Sequence, residues 1–156
     1  YWKEELPNAK ILPVSALHNF NVESILDIIL ELLPESPPYF DKESISDRPM
    51  RFFIAEIIRE KIFLNLKKEV PYACQVEVVD YIEEPDLIRI RANIIVERES
   101  QKGIIIGAKG QQLKHIGIDS RKDIEKFVGK HVFLETFVKV DKDWRNNQGK
   151  LKKYGY

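Results

Sequence analysis

The 156-residue chain has one cysteine, three histidines and no net charge, since 25 Lys and Arg offset 25 Asp and Glu. A single Cys74 excludes an internal disulfide, and no Cys/His cluster at metal-ligand spacing surrounds His18, His115 or His131. These shortages lead to the expectation of a cytoplasmic, metal-free protein. Long apolar runs are also lacking. The longest, Val22 to Leu33, is broken by Glu23, Asp27 and Glu31, so no segment reads as a membrane span. The opening Tyr1-Trp2-Lys3-Glu4-Glu5 has no apolar signal-peptide stretch and reads as a chain cut within a domain.

The neutral total hides a gradient. Residues 1–47 hold 3 basic and 9 acidic side chains, residues 48–98 hold 9 of each, and residues 99–156 hold 13 basic and 7 acidic. One end of the chain therefore suits a polyanion, although charged stretches also arise as plain solvated faces.

Prolines divide the sequence. Leu33-Pro34-Glu35-Ser36-Pro37-Pro38 cannot continue a helix and should leave it as an extended linker. Ahead of it, residues 9–17 read as a short strand into a loop, and Val22, Ile25, Leu26, Ile28, Ile29, Leu32 and Leu33 mark an amphipathic helix. One strand and one helix cannot bury a core, so this front part is expected to close a sheet whose other strands lie elsewhere. Behind the linker, Ser46-Asp47-Arg48-Pro49 reads as a helix start, with Ser46 as cap, leading to Phe52, Phe53, Ile57, Ile58, Ile62, Phe63 and Leu66. Val70-Pro71-Tyr72 stops that helix. Residues 73–82 then alternate Cys74, Val76 and Val78 with Gln75, Glu77 and Val79, and residues 87–98 place Ile88, Ile90, Ala92, Ile94 and Val96 on one face. Ser100 is the expected cap of a short helix, followed by a long helix to Val128 and a last strand from His131 to Val140. The order is α-β-β-α-α-β, an α+β domain.

Between the two consecutive helices stands Gly107-Ala108-Lys109-Gly110, preceded by Gly103-Ile104-Ile105-Ile106 and followed by Gln111-Gln112-Leu113-Lys114. Two glycines remove the Cβ atoms that would hold a sugar-phosphate chain at a distance. Lys109 adds charge, and the helix start adds N–H groups and a positive dipole end. Gly-x-x-Gly by itself is weak evidence, because most such matches are ordinary turns. Its place in this order of elements is what gives it weight.

The order and loop position resemble the type II K-homology domain, an RNA-binding module. Arg51 to Lys61, Glu69-Val70-Pro71-Tyr72, Gln101-Lys102-Gly103-Ile104-Ile105-Ile106-Gly107 and the tail from Trp144 to Tyr156 resemble the Era family of Ras-like GTPases. Pro13-Val14-Ser15-Ala16-Leu17 is similar to that family's last guanine-nucleotide motif, which makes the front part the terminal strand and helix of an incomplete α/β P-loop GTPase domain. The expected division is a GTPase piece over 1–36, a linker over 37–47, the K-homology domain over 48–140 and a basic tail over 141–156.

The resemblance implies binding of the single-stranded 3′ end of 16S ribosomal RNA and a role in assembly and maturation of the 30S subunit, coupled to GTP binding and hydrolysis. Mapped on this chain, Gly107, Ala108, Lys109 and Gly110 would clamp the backbone, with Gln111 and Lys114 continuing the contact. Ile104, Ile105 and Ile106 would form an apolar floor, with at least one of the three taken by the core. Lys102, Lys139 and Arg145 would meet phosphates, as would Lys150, Lys152 and Lys153. Ser15, Ala16 and Leu17 would form part of a guanine site, Ser15 as loop stabiliser and the Ala16 N–H as donor to the base. The family's GTP or GDP and Mg have no complete site here: Gly-x-x-x-x-Gly-Lys-Ser/Thr and Asn-Lys-x-Asp are both absent. The chain alone is expected to be inactive as a GTPase and to be a monomer. Peripheral membrane contact has no carrier beyond the basic third. Simpler readings stand beside these: His115 as a helix-surface residue, Arg89 and Arg91 as solvent contacts of a sheet, and Trp144 as an anchor for the tail. Two other functions also stay open, a fragment whose activity belongs to a GTPase domain and a K-homology domain used for protein docking.

Overall fold

The computed structural model describes residues 1–40, 46–67 and 69–154, apart from the Lys153 side chain. Part of the expected linker (41–45), the end of the tail (155–156) and the proposed phosphate contact by Lys153 lie outside the described residues. The chain divides into two units, Tyr1–Ile45 and Ser46–Tyr156.

The front unit holds a single turn α1 (Trp2–Glu5) and the helix α2 (Val22–Leu32). The strand expected over 9–17 does not form. Only an isolated bridge joins Ser15 and Phe20, which exchange backbone hydrogen bonds of 3.1 and 3.0 Å. A strand needs a neighbour to accept its backbone groups, and this unit supplies none among the described residues. Asn21 precedes α2 in the left-handed region at φ 55° and donates its side-chain amide to the Pro13 carbonyl at 3.0 Å.

The back unit begins with α3 (Met50–Asn65), whose Ile54, Ile58 and Ile62 recur every four residues and have no exposed surface. Ser46 does not cap it. Its hydroxyl accepts from the Arg48 N–H at 3.1 Å in a local turn, and Pro49 holds the entry extended at ψ 158°. A 3-10 turn, Val70–Ala73, leads into β1 (Gln75–Glu83), which pairs antiparallel with β2 (Leu87–Val96). Burial raises the Cys74 thiol to about 11, so this cysteine behaves as an apolar core residue. The pairing of β1 and β2 shifts between Val78 and Asp80, a bulge centred on Val79. The extra residue moves the inward position from Val78 to Tyr81 and leaves Val79 and Ile82 exposed.

β3 (His131–Val140) runs parallel to β2, from Leu87 opposite His131 to Val96 opposite Val140. Parallel neighbours need a crossover, and two helices provide it: α4 (Glu99–Ile106) and α5 (Gln111–Val128). Strand order is β1-β2-β3. α3, α4 and α5 cover one face, where Ile88, Ile90, Ala92, Ile94 and Val96 of β2 are at most 1 % exposed. After β3 come a 3-10 turn, Trp144–Asn146, and a short helix α6 (Gln148–Lys153). Gln75 on the other face donates to the Tyr154 carbonyl at 3.1 Å, which places the tail over that end of the sheet and accounts for the burial of Asn93 and Ile95. Among the described residues no helix is long and apolar enough to cross a membrane, and no side-chain cluster could hold a metal ion.

Candidate nucleic-acid interface

The first turn of α4 sets the site. Ser100 lies inside the helix, so it is not the cap. Gln101 does that work: its buried amide oxygen accepts the N–H groups of both Glu97 and Arg98, each at 3.0 Å. The sequence offered no Ser or Thr at position 98 to reveal this arrangement. At the far end the Gly107 N–H closes the helix on the Gly103 carbonyl at 2.9 Å.

The chain then reverses through backbone angles that side chains rarely tolerate. Gly107 has φ 70° and ψ −176°, a region open to glycine alone, and a Cβ there would lie 2.6 Å from Gln112 Cβ. Gly110 follows at φ 76°. Between them Lys109 sits in the left-handed region at φ 51°, ψ 28°, a conformation that costs a non-glycine residue about 1 kcal/mol. The Gly110 N–H donates to the Gly107 carbonyl at 3.3 Å and closes the turn.

The result is an open helix start. Gly110 has no side chain to cap α5; the Gln111 N–H is taken by the Ala108 carbonyl, and the rest of the first turn of this 18-residue helix, with its positive dipole end, has no side-chain cap. Gln112 anchors that turn from behind by donating to the Asn65 carbonyl at the end of α3, at 3.3 Å. The Gly-x-x-Gly pattern drew attention to positions 107 and 110, but nothing in the sequence marked Gln112.

Charge separates the candidate residues. Among the described residues Lys102, Lys109, Lys114 and Lys139 have no ion-pair partner, and Lys109, Gln111, Lys114 and Lys139 are exposed. Arg145, expected on phosphate, instead pairs with Glu97. Lys150 likewise pairs with Asp141, while Lys152 is exposed. The apolar floor divides too. Ile104 is 49 % exposed beside the turn, Ile106 is half-buried, and Ile105 has no exposed surface. Ile105 is therefore a core residue, because a helix one turn from the sheet must bury one side. β3 is one of the two edge strands of the sheet, and it is the one that packs against α4 and α5. Gly117 faces it, with Thr136 Oγ1 3.9 Å from where a Cβ would stand, so α5 comes close to that edge.

The outer sheet face offers a contrast. Arg89 pairs with Glu84 at 2.8 Å and lies 5.6 Å above the Phe133 ring, and Arg91 pairs with Asp80 at 3.1 Å and Glu135 at 3.7 Å. These arginines are already neutralised. His115 is 61 % exposed on α5 beside Asp119, and Trp144 is 3 % exposed with its ring edge-on to Tyr154. In the front unit the Ser15 hydroxyl accepts the His18 N–H at 3.3 Å, which stabilises the loop, while Ala16 is exposed and Leu17 is 89 % exposed. Gly-x-x-x-x-Gly-Lys-Ser/Thr and Asn-Lys-x-Asp do not occur in the sequence, so Ser15, Ala16 and Leu17 stand as part of a guanine site only.

The KH domain family matches residues 69–145, which hold β1, β2, α4, the Gly-x-x-Gly turn, α5 and β3. GTPase Era of Geotalea daltonii is 47 % identical over 151 residues, 96 % of this chain and 51 % of that protein. The chain belongs to the Era family. A chloroplastic Era-like GTPase of Arabidopsis thaliana is 45 % identical over 99 % of this chain and 37 % of its own length. A crystal structure of Aquifex aeolicus Era bound to GDP and aluminium fluoride superposes with a TM-score of 0.90 at 39 % identity, covering 99 % of this chain and 52 % of that one. Era in complex with MgGDPNP and nucleotides 1506–1542 of 16S ribosomal RNA matches equally well, with the same score, identity and coverage. The chain thus spans about half the length of the bacterial Era proteins it matches, or less.

Proposed function

We propose that this chain binds single-stranded RNA, and specifically the 3′ end of 16S ribosomal RNA, through the Gly107–Gly110 turn and the open start of α5. The observation that carries this reading is the turn itself: a left-handed Lys109 between two positive-φ glycines, next to uncapped helix N–H groups and unpaired lysines. Backbone N–H groups and Lys109 hold phosphates, while Lys102, Lys114 and Lys139 add attraction without sequence preference. Ile104 and the β3 edge offer an apolar surface and backbone groups to unstacked bases, which a duplex would keep hidden. The match to an Era structure that contains 16S ribosomal RNA supports this choice of ligand. Residues 48–140 form the RNA-binding domain of a monomeric cytoplasmic protein that assists 30S subunit assembly. GTP binding and hydrolysis, with Mg, act from a longer protein, since neither nucleotide motif occurs in this chain.

The test is binding of an RNA copying the 3′ tail of 16S ribosomal RNA, against a scrambled RNA, by the chain and by Lys109→Asp combined with Ala108→Asp. Preference for the authentic tail, lost by about a hundredfold in the double variant, is the expected result. Log K should fall with log salt at a slope of about −0.7 per phosphate contacted. Weak binding, equal for both RNAs and indifferent to the substitutions, would refute the reading.

A further inference from the structure

Arg145 and Glu97 join two distant parts of the back unit. The Glu97 side chain is only 11 % exposed, and the Arg145 guanidinium donates to it from the tail. The backbone N–H of the same Glu97, with that of Arg98, is held by Gln101 at the first turn of α4. Glu97 is thus fixed by its side chain to the tail and by its backbone to the helix that ends at Gly107.

The tail end of this tie is fixed in turn. Trp144, next to Arg145, is buried against Tyr154 with ring centroids 5.7 Å apart. The Tyr154 hydroxyl donates to Asp141 at 2.7 Å, Lys150 reaches both Asp141 and the Lys142 carbonyl, and the Asp141 N–H donates to the Val96 carbonyl at 2.8 Å. α4 is only 8 residues long. A helix of two turns moves as one rod of about 12 Å, so whatever fixes its start also fixes its end.

We propose that Arg145, acting through Glu97, is a positioning residue that sets α4 and with it the Gly107–Gly110 turn, and is not a phosphate contact. This rests on the reading of that turn as the RNA site. Arg145 was attractive as a phosphate ligand because it lies in the basic third, but its charge is already spent on a carboxylate that is largely covered. The two roles give opposite signs for Glu97→Gln. If Arg145 meets phosphate, the substitution releases the guanidinium, adds one positive charge and tightens RNA binding. If Arg145 positions α4, the same substitution weakens binding in spite of the added charge.

The experiment measures affinity for the 16S 3′-tail RNA across a salt series, with amide hydrogen exchange of the RNA-free chain in parallel. Glu97→Gln should weaken binding about three- to tenfold and leave the salt slope unchanged. Exchange should accelerate over residues 104–112 and not over the β2 strand, which separates local repositioning from general loss of stability. Reversing the pair, with Glu97→Arg and Arg145→Glu together, should restore affinity to within about threefold, whereas a phosphate contact could not be rescued in this way. Tighter binding by Glu97→Gln, or unchanged exchange over 104–112, overturns the proposal. Failure of the wild-type chain to bind this RNA would instead sink the reading of the turn, and the exchange measurement would still decide the role of Arg145.

Discussion

α2 and α3 are both apolar helices, and they have opposite fates. In α3, Ile54, Ile58 and Ile62 have no exposed surface. In α2, no residue is buried, and Leu26, Leu30 and Leu32 are 60 to 63 % exposed. The amphipathic pattern is at least as clean in α2. Periodicity therefore reports which face a helix can bury, and only the presence of a sheet decides whether it does. The back unit has β1 and β2 for α3 to cover, whereas the described residues of the front unit hold only the isolated Ser15–Phe20 bridge and no strand. The contrast can be attacked by substitution.

The largest effect should come from the sheet that α3 rests on. Ile94→Asp places a carboxylate at a fully buried position of the central strand with no cation to meet it, and the back unit should fail to fold. Circular dichroism would show loss of the cooperative transition. Next comes Ile58→Ala, which removes buried methylenes from α3 and should cost about 2–5 kcal/mol in denaturant unfolding. A cost below about 1 kcal/mol would mean that α3 is packed as loosely as α2. Gly107→Ala should follow at about 1–3 kcal/mol, because both the positive φ and the 2.6 Å approach to Gln112 oppose a Cβ. Its loss of RNA affinity should exceed its loss of stability.

Much of this was legible from the residues, for identifiable reasons. Alternation over 87–96 placed Ile88 to Val96 inward because the strand is regular, and Gly107 and Gly110 stood out because few residues accept their backbone angles. The rest depends on partners distant in sequence. The inward shift to Tyr81 comes from one extra residue at Val79, which alternation alone does not reveal. Gln101 caps α4 in a role that Ser100 is better suited to by type, and Ile105 is distinguished from Ile104 only by which side of α4 meets the core. Arg145 reads as a free cation until Glu97, 48 residues away, is brought beside it. Residues 9–17 have the composition of a strand, but composition does not supply a neighbour.

A smaller effect concerns Glu125 on α5, which accepts the Val132 N–H at 3.0 Å and lies near Arg121 and His131. The backbone N–H first, with Arg121 and His131 after it, holds its carboxyl below the ordinary carboxylate range. The unfolded chain therefore binds this proton more readily than the folded one. The stabilisation is present in full above the unfolded value and is lost as pH falls through the folded one. The stability gap between the chain and Glu125→Gln should accordingly narrow in acid. A gap independent of pH would show that the Val132 contact does not depend on the charge.

The smallest expected change bears most directly on the contrast. Leu26→Ser replaces an apolar residue of α2 that is 60 % exposed, and surface substitutions of this kind shift stability by no more than about 0.5 kcal/mol. The same exchange at Ile58 would remove a side chain with no exposed surface and add an unpaired hydroxyl to the core, at several times that cost. Measured side by side in one chain, the two substitutions isolate burial from helix propensity, since both exchange an aliphatic residue for serine within a helix. A cost for Leu26→Ser comparable to that for Ile58→Ser would mean that α2 does find a cover in solution. The difference between the helices would then lie in what each meets, and no longer in whether it meets anything.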